Sequence, residues 1–544
     1  MRKILTICAG ILVSASLFAG GLVTNTNQSA MFTRLQNRNA STGIDAVYYN
    51  PAGVTKLGEG FFVSLNNQVI SQTQTITNSY PYISGAPKTY VGDVSAPLFP
   101  GVYVAYNTGN LSFSAGVNPI GGGGGATYKK GLPSFETNIA NLVPMVASSG
   151  IPVSQYSSDI YFKGTSVYMG YQANVAYKVS DQLSVAAGIR FVTAKDTYKG
   201  FLKNISINPT YPAFGAQYTG GMVLASDFFT SGATTLNTLA AGATAYVAGL
   251  QPIITAGAGA TPLSSGTAVG LSAAQVGQIQ QIIGAAGQNP AGLTIAQAQA
   301  ILNAAAPGFA SKANTLTGNA AATQDINVDA EETGSGIAPI LSVNYSPADN
   351  LNISLRYEFK TELNLTTKVI NNQGGGIFVQ GTKVIADIPA MLSVGAEFKP
   401  TKKLMLAGSF DYYFDKNVDY DGSADKSINM INHNFLEFGL GAEYSLTDKF
   451  RVSAGWVATK TGVDPMTYNN DQSYSTNTNS FGAGFGYRIT PMIDLNVGGQ
   501  YTFYADGKNN YPANLANGIL HDYTETYAKK TWLIGIGLDF FFGK

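Results

Sequence analysis

The sequence is poor in charged residues, and this shortage excludes several classes of protein. Only 12% of its 544 residues are charged, with 32 Lys and Arg balanced by 32 Asp and Glu. Soluble domains average roughly 25% charged residues, so a series of ordinary soluble domains is not expected. A net charge of zero without a basic stripe also argues against a nucleic-acid partner.

Cysteine and histidine are nearly absent. The one cysteine is Cys8, and the two histidines are His433 and His521. Disulfides, thiolate chemistry and metal clusters therefore have few residues to draw on. No Ser-centred elbow accompanies the histidines, and the glycine run 121–125 lacks the Lys of a phosphate loop. We expect no enzyme activity, no cofactor and no metal.

Long apolar runs are missing after the first twenty residues. A helix that crosses a bilayer needs about 20 apolar residues. Bilayers otherwise admit only closed barrels, because every backbone polar group must find its partner inside the protein. A chain with so few charges and no such runs is therefore expected to be a transmembrane β-barrel.

The N-terminus has the layout of an export signal. Arg2 and Lys3 precede an apolar stretch, 4–18, that ends in small residues at Ala19. A basic start, a short apolar middle and small residues near the cut are typical of a secretory signal peptide. We predict one over residues 1–19.

Hydrophobic alternation runs through the rest of the chain. In 351–360, Leu, Ile, Leu, Tyr and Phe alternate with polar residues that include Arg356, Glu358 and Lys360. The same period of two recurs in 404–415, 437–444, 493–503 and 532–542. Alternation is typical of barrel strands, although a soluble β-sandwich shows it too.

Connection lengths favour the barrel. Short turns lie near residues 107–110, 180–181, 346–349, 400–402, 447–448 and 490–491. They alternate with seven longer connections, near 78–95, 119–158, 200–325, 369–383, 417–432, 462–477 and 506–524. Short inner turns and long outer loops are the asymmetry of bacterial barrels. The fold predicted for 58–544 is an all-β, antiparallel transmembrane barrel of about 14 strands.

The connection 200–325 is predicted to contain helices. From about residue 222 it is rich in Ala and Gly, and Ser272 and Thr294 stand at N-cap positions ahead of two short helical patterns, 273–287 and 295–309. A third helical pattern lies at 135–147. This segment either folds on itself as a cap or offers an apolar landing surface for a ligand.

Residues 20–57 precede the first strand and lack alternation. They form either a periplasmic tail or a plug inside the barrel, and the physics of the sequence does not decide between these. Within them, Asn50-Pro51-Ala52-Gly53 resembles the Asn-Pro-Ala motif of the FadL family of outer-membrane hydrophobic-compound channels. The resemblance extends to the signal peptide, the length of the N-terminal segment, the strand number and the helix-bearing third outer loop.

The resemblance implies a function and a location. Residues 20–57 would be a hatch inside a barrel in the outer membrane of a Gram-negative bacterium. Hydrophobic small molecules such as long-chain fatty acids or hydrocarbons would pass by passive, hatch-gated diffusion and exit sideways where the third strand kinks. Here that strand is expected near 111–118 and to stop at Asn118-Pro119, since Pro cannot donate a ladder hydrogen bond. The strand could equally end there without any opening.

Ligand-binding residues cannot be carried over from the resemblance. Cationic side chains on the lumen side could contact the carboxylate of a ligand; they are Arg190, Arg356, Lys360, Arg451 and Arg488. They could equally pair with carboxylates of the barrel to form a polar network. Those carboxylates are Glu358, Glu397, Asp411, Glu437, Glu443 and Asp494. Outer-membrane lipids and the barrel assembly machinery are the other expected partners, and a monomer is expected. The alternatives are a general porin and a surface adhesin barrel.

Overall fold

The computed structural model describes residues 22–373, 378–418, 430–514 and 519–543. The predicted signal peptide, 1–19, lies outside these residues. Contacts divide the described chain into two compact units. One unit comprises 139–159 and 202–325, and the other comprises the remaining described residues.

The strands, in chain order, are β1 Gly60–Asn78, β2 Lys88–Thr108, β3 Leu111–Tyr128, β4 Tyr156–Lys178, β5 Leu183–Ile207, β6 Val223–Leu224, β7 Ile326–Ala348, β8 Leu351–Glu358, β9 Asn364–Gln373, β10 Lys383–Ile385, β11 Met391–Phe398, β12 Leu404–Tyr413, β13 Phe435–Ser445, β14 Phe450–Lys460, β15 Thr478–Thr490, β16 Ile493–Tyr504, β17 Gly507–Tyr511 and β18 Tyr523–Gly543. The α-helices are α1 Ala30–Arg34, α2 Ala46–Tyr49, α3 Pro133–Ala140, α4 Leu142–Ser148, α5 Ala225–Thr255, α6 Ala273–Ala285 and α7 Ile295–Ala322.

Antiparallel pairing closes these strands into a barrel. β1 pairs with β2 along one edge and with β18 along the other, from Gly60 opposite Gly543 to Asn78 opposite Glu525. The pairs β8 with β9, β10 with β11 and β16 with β17 each make one interrupted span. The two residues of β6 pair with the end of β5 and add no span. The wall therefore has fourteen strands, which confirms the predicted number.

Side chains alternate between the two faces of the wall as the sequence predicted. In β1, Phe61 and Leu65 are exposed on the outer surface, whereas Ser64, Asn66 and Gln68 are buried on the inner one. Large apolar side chains are exposed in the same way on most of the other strands. This arrangement is that of a transmembrane barrel. Among the described residues, no helix is long and apolar enough to cross a membrane.

The third strand differs from its prediction. β3 does not stop at Asn118-Pro119 but continues through the glycine run to Tyr128. Its register with β4 shifts between Pro119 and Gly121 and again between Gly121 and Gly124. Gly122 and Gly124 have positive φ angles, a conformation that glycine adopts without a steric penalty. The glycines therefore let the strand bulge and rejoin its neighbour.

The unit of 139–159 and 202–325 has a helical core of its own. Both predicted N-caps are confirmed, because the side chains of Ser272 and Thr294 close capping boxes at α6 and α7. The 31-residue helix α5 was not predicted, since its glycines and threonines weaken the helical pattern. The apolar face of α6, Val276, Ile279, Ile282 and Ile283, is buried within this core. The segment thus folds on itself, and this face is not an exposed landing surface.

Replacing Leu65 by Pro should prevent the barrel from closing stably. Leu65 lies opposite Leu538 of β18 and Val102 of β2, and Pro removes a ladder donor and is excluded from central strands. We expect Leu65→Pro to lose the compact form that resists SDS before boiling. Leu65→Val, which keeps the donor, should retain that form on the same gel; equal behaviour of the two variants would contradict the closure described here.

Candidate functional site

Residues 22–57, here called the N-terminal segment, pack against the inner face of the barrel wall. Nearly every residue from Leu22 to Val54 is buried. Helix α1 contacts β14, β15, β16, β18 and β1, and the 3-10 helix Pro51–Leu57 contacts β2, β3 and β7. The segment therefore contacts strands on several sides of the closed wall. The sequence alone did not decide between this arrangement and a free tail.

The Asn-Pro-Ala motif fixes one end of this segment. The Asn50 side chain donates to the Ser41 carbonyl oxygen (3.0 Å) and to Asn344 Oδ1 of β7 (2.7 Å), and it accepts from Ser342 Oγ (3.2 Å). Pro51 begins the 3-10 helix, where its missing N–H costs nothing. Asn50 thus joins the segment to itself and to the wall.

Close packing around Asn50 requires small residues at Ala52 and Gly53. Ala52 packs with Ala176 and Ala186 in a small apolar cluster. A Cβ on Gly53 would lie 2.3 Å from Asn50 Nδ2 and 2.6 Å from the Ser41 carbonyl oxygen. Glycine at this position therefore allows the Asn50 side chain to reach its partners.

Buried charges hold the middle of the segment. Arg38 donates to both carboxylate oxygens of Asp45 (2.9 and 3.0 Å) and to Glu397 of β11 (3.2 Å). Arg34 bonds Glu443 of β13 and Asn496 of β16. Charge-assisted hydrogen bonds of this kind are stronger than neutral ones.

Asp45 stays ionised because its partners outweigh its burial. Burial by itself raises the pKa of this carboxyl, but the Arg38 charge and hydrogen bonds from Arg38, Ser41 and Ser29 lower the pKa below its usual value. A carboxyl with a lowered native pKa contributes stability above its ordinary pKa and loses it only as the pH falls through the lowered value. Docking of the segment should therefore persist into mildly acidic conditions.

The wall has a gap between β2 and β3. The two strands pair from Val102 to Thr108 and again from Gly92 to Val94, but not in between. The N-terminal segment lines this gap from inside: Asn25 N donates to the Ile120 carbonyl oxygen (2.8 Å), and Gly122 N donates to that of Val23 (3.2 Å). Residues Val23 to Asn25 therefore take part in the pairing that β2 does not supply.

Asn118 and Pro119 lie at this gap. Asn118 is buried and donates to Gln28 Oε1 of the segment (2.6 Å), while Pro119 lies opposite Met169 of β4 just before the register shift. Gly121 was not predicted as a site residue. A Cβ on it would lie 2.1 Å from the Val23 carbonyl oxygen, so glycine is needed for the contact. The glycine run was the only signal of this in the sequence.

A chamber lies between the segment and the strands β5 to β14. Its cavity volume is only about 20 Å³, roughly the space of one water molecule, so side chains nearly fill it. Its lining includes apolar groups, among them Phe32, Tyr49, Ile388, Met391 and Val457. It also includes charged groups, namely Arg38, Arg190, Arg356, Glu358, Asp411 and Glu437.

Four of the five predicted lumen-side cations form ion pairs, three of them with predicted carboxylates and Lys360 with Asp387, which was not predicted. Arg190 bonds Glu358, Lys360 bonds Asp387 (2.9 Å), and Arg451 and Arg488 both bond Asp494 (2.9 Å each). Arg356 is the exception, since it bonds the Tyr48 carbonyl oxygen and Ser393. Pairing thus accounts for four of the five cations. In the part of the chain that the structure describes, no group of three His, Cys, Asp or Glu could hold a metal ion.

No protein-family model matches the chain, and no curated protein sequence matches it. Several solved structures do match the chain. The Pseudomonas aeruginosa FadL homologue aligns with a TM-score of 0.57 at 11% identity, over 96% of this chain and 100% of its own. This chain has the fold of that homologue. The Ralstonia pickettii toluene transporter TbuX (TM-score 0.45, 15% identity, 92% and 94% covered) and the Pseudomonas putida toluene transporter TodX (0.46, 11%, 93% and 95%) are more distant.

Removing the Arg38 charge should release the middle of the segment. Arg38→Met leaves Asp45 and Glu397 buried without a cation, a loss of about 3 kcal/mol or more, whereas Arg38→Lys keeps a charge. We expect faster hydrogen exchange at residues 30–50 in Arg38→Met, a smaller effect in Arg38→Lys and an SDS-resistant barrel in both. Unchanged exchange in Arg38→Met would show that these ion pairs do not hold the segment.

A methyl group at Gly121 should detach Val23 to Asn25 from β3. Gly121→Ala places a carbon 2.1 Å from the Val23 carbonyl oxygen, whereas Gly164→Ala on β4 meets no atom closer than 3.6 Å. Hydrogen exchange at residues 22–28 should rise in the first variant and stay at the wild-type level in the second. A rise in both would mean that the contact at Gly121 is not specific.

Proposed function

We propose that this chain is a FadL-type channel that carries hydrophobic compounds across the outer membrane by passive diffusion. The observation that carries the proposal is the N-terminal segment, which packs inside the wall and lines the gap between β2 and β3 from within. The segment serves as a hatch, and the gap serves as the exit. The fold shared with a FadL homologue supports this.

A lateral exit suits the chemistry of the cargo. Leu98 of β2 lies in this gap, and its apolar side chain is 75% exposed. A hydrophobic molecule that leaves through the wall enters the bilayer without crossing water. Exposing its apolar surface to water would cost a free energy of roughly 25 cal/mol per Å². Long-chain fatty acids and hydrocarbons both fit this route.

The location and the partners are part of the same proposal. The predicted signal peptide and the aromatic end of β18 fit an outer-membrane protein that the barrel assembly machinery inserts as a monomer. A general porin is the second candidate, but the N-terminal segment occupies space that a porin leaves to water. An adhesin barrel would carry its activity in the outer loops and would need no hatch.

The motif provides the test. Asn50→Ala combined with Pro51→Ala should weaken the attachment of the segment to β7 and reduce uptake of hydrophobic substrates in a strain that lacks the chromosomal copy, by about tenfold if roughly 1.4 kcal/mol of hatch positioning is lost. The SDS-resistant barrel should remain. Uptake at the wild-type level in the variant would show that the motif has no role in transport.

Planar bilayers separate the channel from a porin. We expect the wild-type protein to show little steady ion conductance, because the N-terminal segment packs against the inner face of the wall and would obstruct a water-filled path. Deletion of residues 22–45 should raise the conductance. Large, steady conductance of the wild-type protein would contradict the proposal that the segment acts as a hatch.

A further inference from the structure

The outer end of β18 extends past the apolar belt of the wall. Its outward side chains are apolar from Trp532 to Phe542, whereas Thr524, Thr526 and Lys530 on the same side are polar. The long connections of the barrel lie at this polar end. Side chains that point inward from it therefore lie at the outer mouth of the barrel, beyond the membrane span.

Two buried carboxyl groups at this mouth lack a cationic partner. Glu525 of β18 is 4% exposed, and Asp471 of the outer connection 461–477 is 3% exposed. Neither takes part in an ion pair within the described part of the chain. The buried ammonium group of Lys529, four residues farther along β18, bonds the Tyr474 carbonyl oxygen instead (2.7 Å).

The hydrogen-bond donors around the two carboxyl groups are neutral. The Asn78 amide and the Tyr527 hydroxyl each donate to one oxygen of Glu525 (2.8 and 2.7 Å), and the backbone N–H of Ser134 donates to Asp471 (2.6 Å). Burial, and then the nearby charge of Asp471, raise the pKa of Glu525. The two groups therefore interact, and each keeps free lone pairs, since a carboxylate can accept about four hydrogen bonds.

A buried amide oxygen faces the same place. Asn509 of β17 is 1% exposed and lies directly opposite Glu525 in the register of β17 and β18, with Cβ atoms about 5 Å apart. Its Nδ2 donates to the carbonyl oxygen of Asn469 (2.6 Å), two residues before Asp471. This bond fixes which end of the amide is the oxygen. That oxygen has no hydrogen-bond partner among the described residues, although buried acceptors normally have one.

We propose that Asp471, Glu525 and Asn509 form a binding site for a divalent cation, and that calcium fits it best. Calcium takes about six to eight oxygen ligands, from carboxylates, amides and water, in flexible geometry. Two carboxylates and one amide oxygen supply part of this set, and water supplies the rest. Magnesium fits less well because it demands near-ideal octahedral geometry and gives up its waters reluctantly.

The bound ion joins separate parts of the outer mouth. Asp471 belongs to the connection 461–477, whereas Asn509 and Glu525 belong to the wall strands β17 and β18. Asp471 also accepts from Ser134 at the start of α3. Calcium therefore attaches the connection to the wall. This role goes beyond the proposed transport function and does not depend on it.

Calcium titration of the full chain tests the site. The protein is refolded in a neutral detergent, so that no lipid phosphate binds the ion, stripped of divalent cations with EDTA and dialysed. Calorimetry with CaCl₂ should show one site, and MgCl₂ should bind about tenfold more weakly or worse. Hydrogen exchange at residues 468–474 should slow when calcium is added.

Three variants locate the ion. Asp471→Asn combined with Glu525→Gln should abolish calcium binding. Asn509→Asp should tighten it by about tenfold, because a third carboxylate replaces a neutral oxygen and the ligand charge sets the affinity. Glu136→Gln is the matched control, since this buried carboxyl at the same mouth is already paired with Lys88. It should bind calcium as the wild-type protein does.

The remaining outcomes overturn the site. Absence of calcium binding to the wild-type protein up to about 10 mM, above the roughly 0.1 to 1 mM range of extracellular calcium modules, shows that the carboxyl pair holds protons instead. Binding that survives in the double variant places the ion elsewhere. If the double variant loses its SDS-resistant barrel, Asn509→Asp decides, because unchanged or weaker calcium binding there contradicts the site. Uptake in a deletion strain tests transport separately.

Discussion

The structure depends on one constraint: every backbone N–H and C=O group in the wall needs a partner inside the protein. The long pairing of β1 with β18 meets this constraint where the two chain ends of the barrel come together. The gap between β2 and β3 breaks it locally, and there Val23 and Asn25 of the N-terminal segment supply two backbone partners for β3. Wall integrity and the position of the segment are therefore coupled at this point.

The same constraint explains why the interior is so rich in polar contacts. Inner-facing residues of the strands alternate with the outer apolar ones, and the segment that packs on them must match donors, acceptors and charges. Arg34 and Arg38 do so by pairing with carboxylates from β11 and β13. The segment carries many polar side chains for this reason, while its apolar residues Phe32 and Val47 belong to a buried apolar cluster that includes wall residues such as Phe62 and Val192.

How much the sequence predicts depends on the range of the interactions. Strand alternation and capping boxes are local, so the strand number and the starts of α6 and α7 were predicted correctly. The contacts of Asn50 with Asn344 or of Asn39 with Asp411 join residues about 300 or more apart in the chain, and no local pattern encodes them. The continuation of β3 past Pro119 was missed because the bulge depends on pairing with β4.

The attachments of the N-terminal segment are unequal along its length, and this sets the order in which it can move. From Val23 to Gln28 the contacts include neutral hydrogen bonds, to Ile120, Gly122 and Asn118 among others, and none of the described ion pairs. Each contributes about 1 kcal/mol, whereas bonds to charged groups contribute about 1.5 to 3 kcal/mol. From Arg34 to Asp45 the contacts include several buried ion pairs. Under the proposed function we therefore expect displacement to begin at the gap, with the charged middle of the segment as its anchor, so that the proposed exit opens without release of the whole segment.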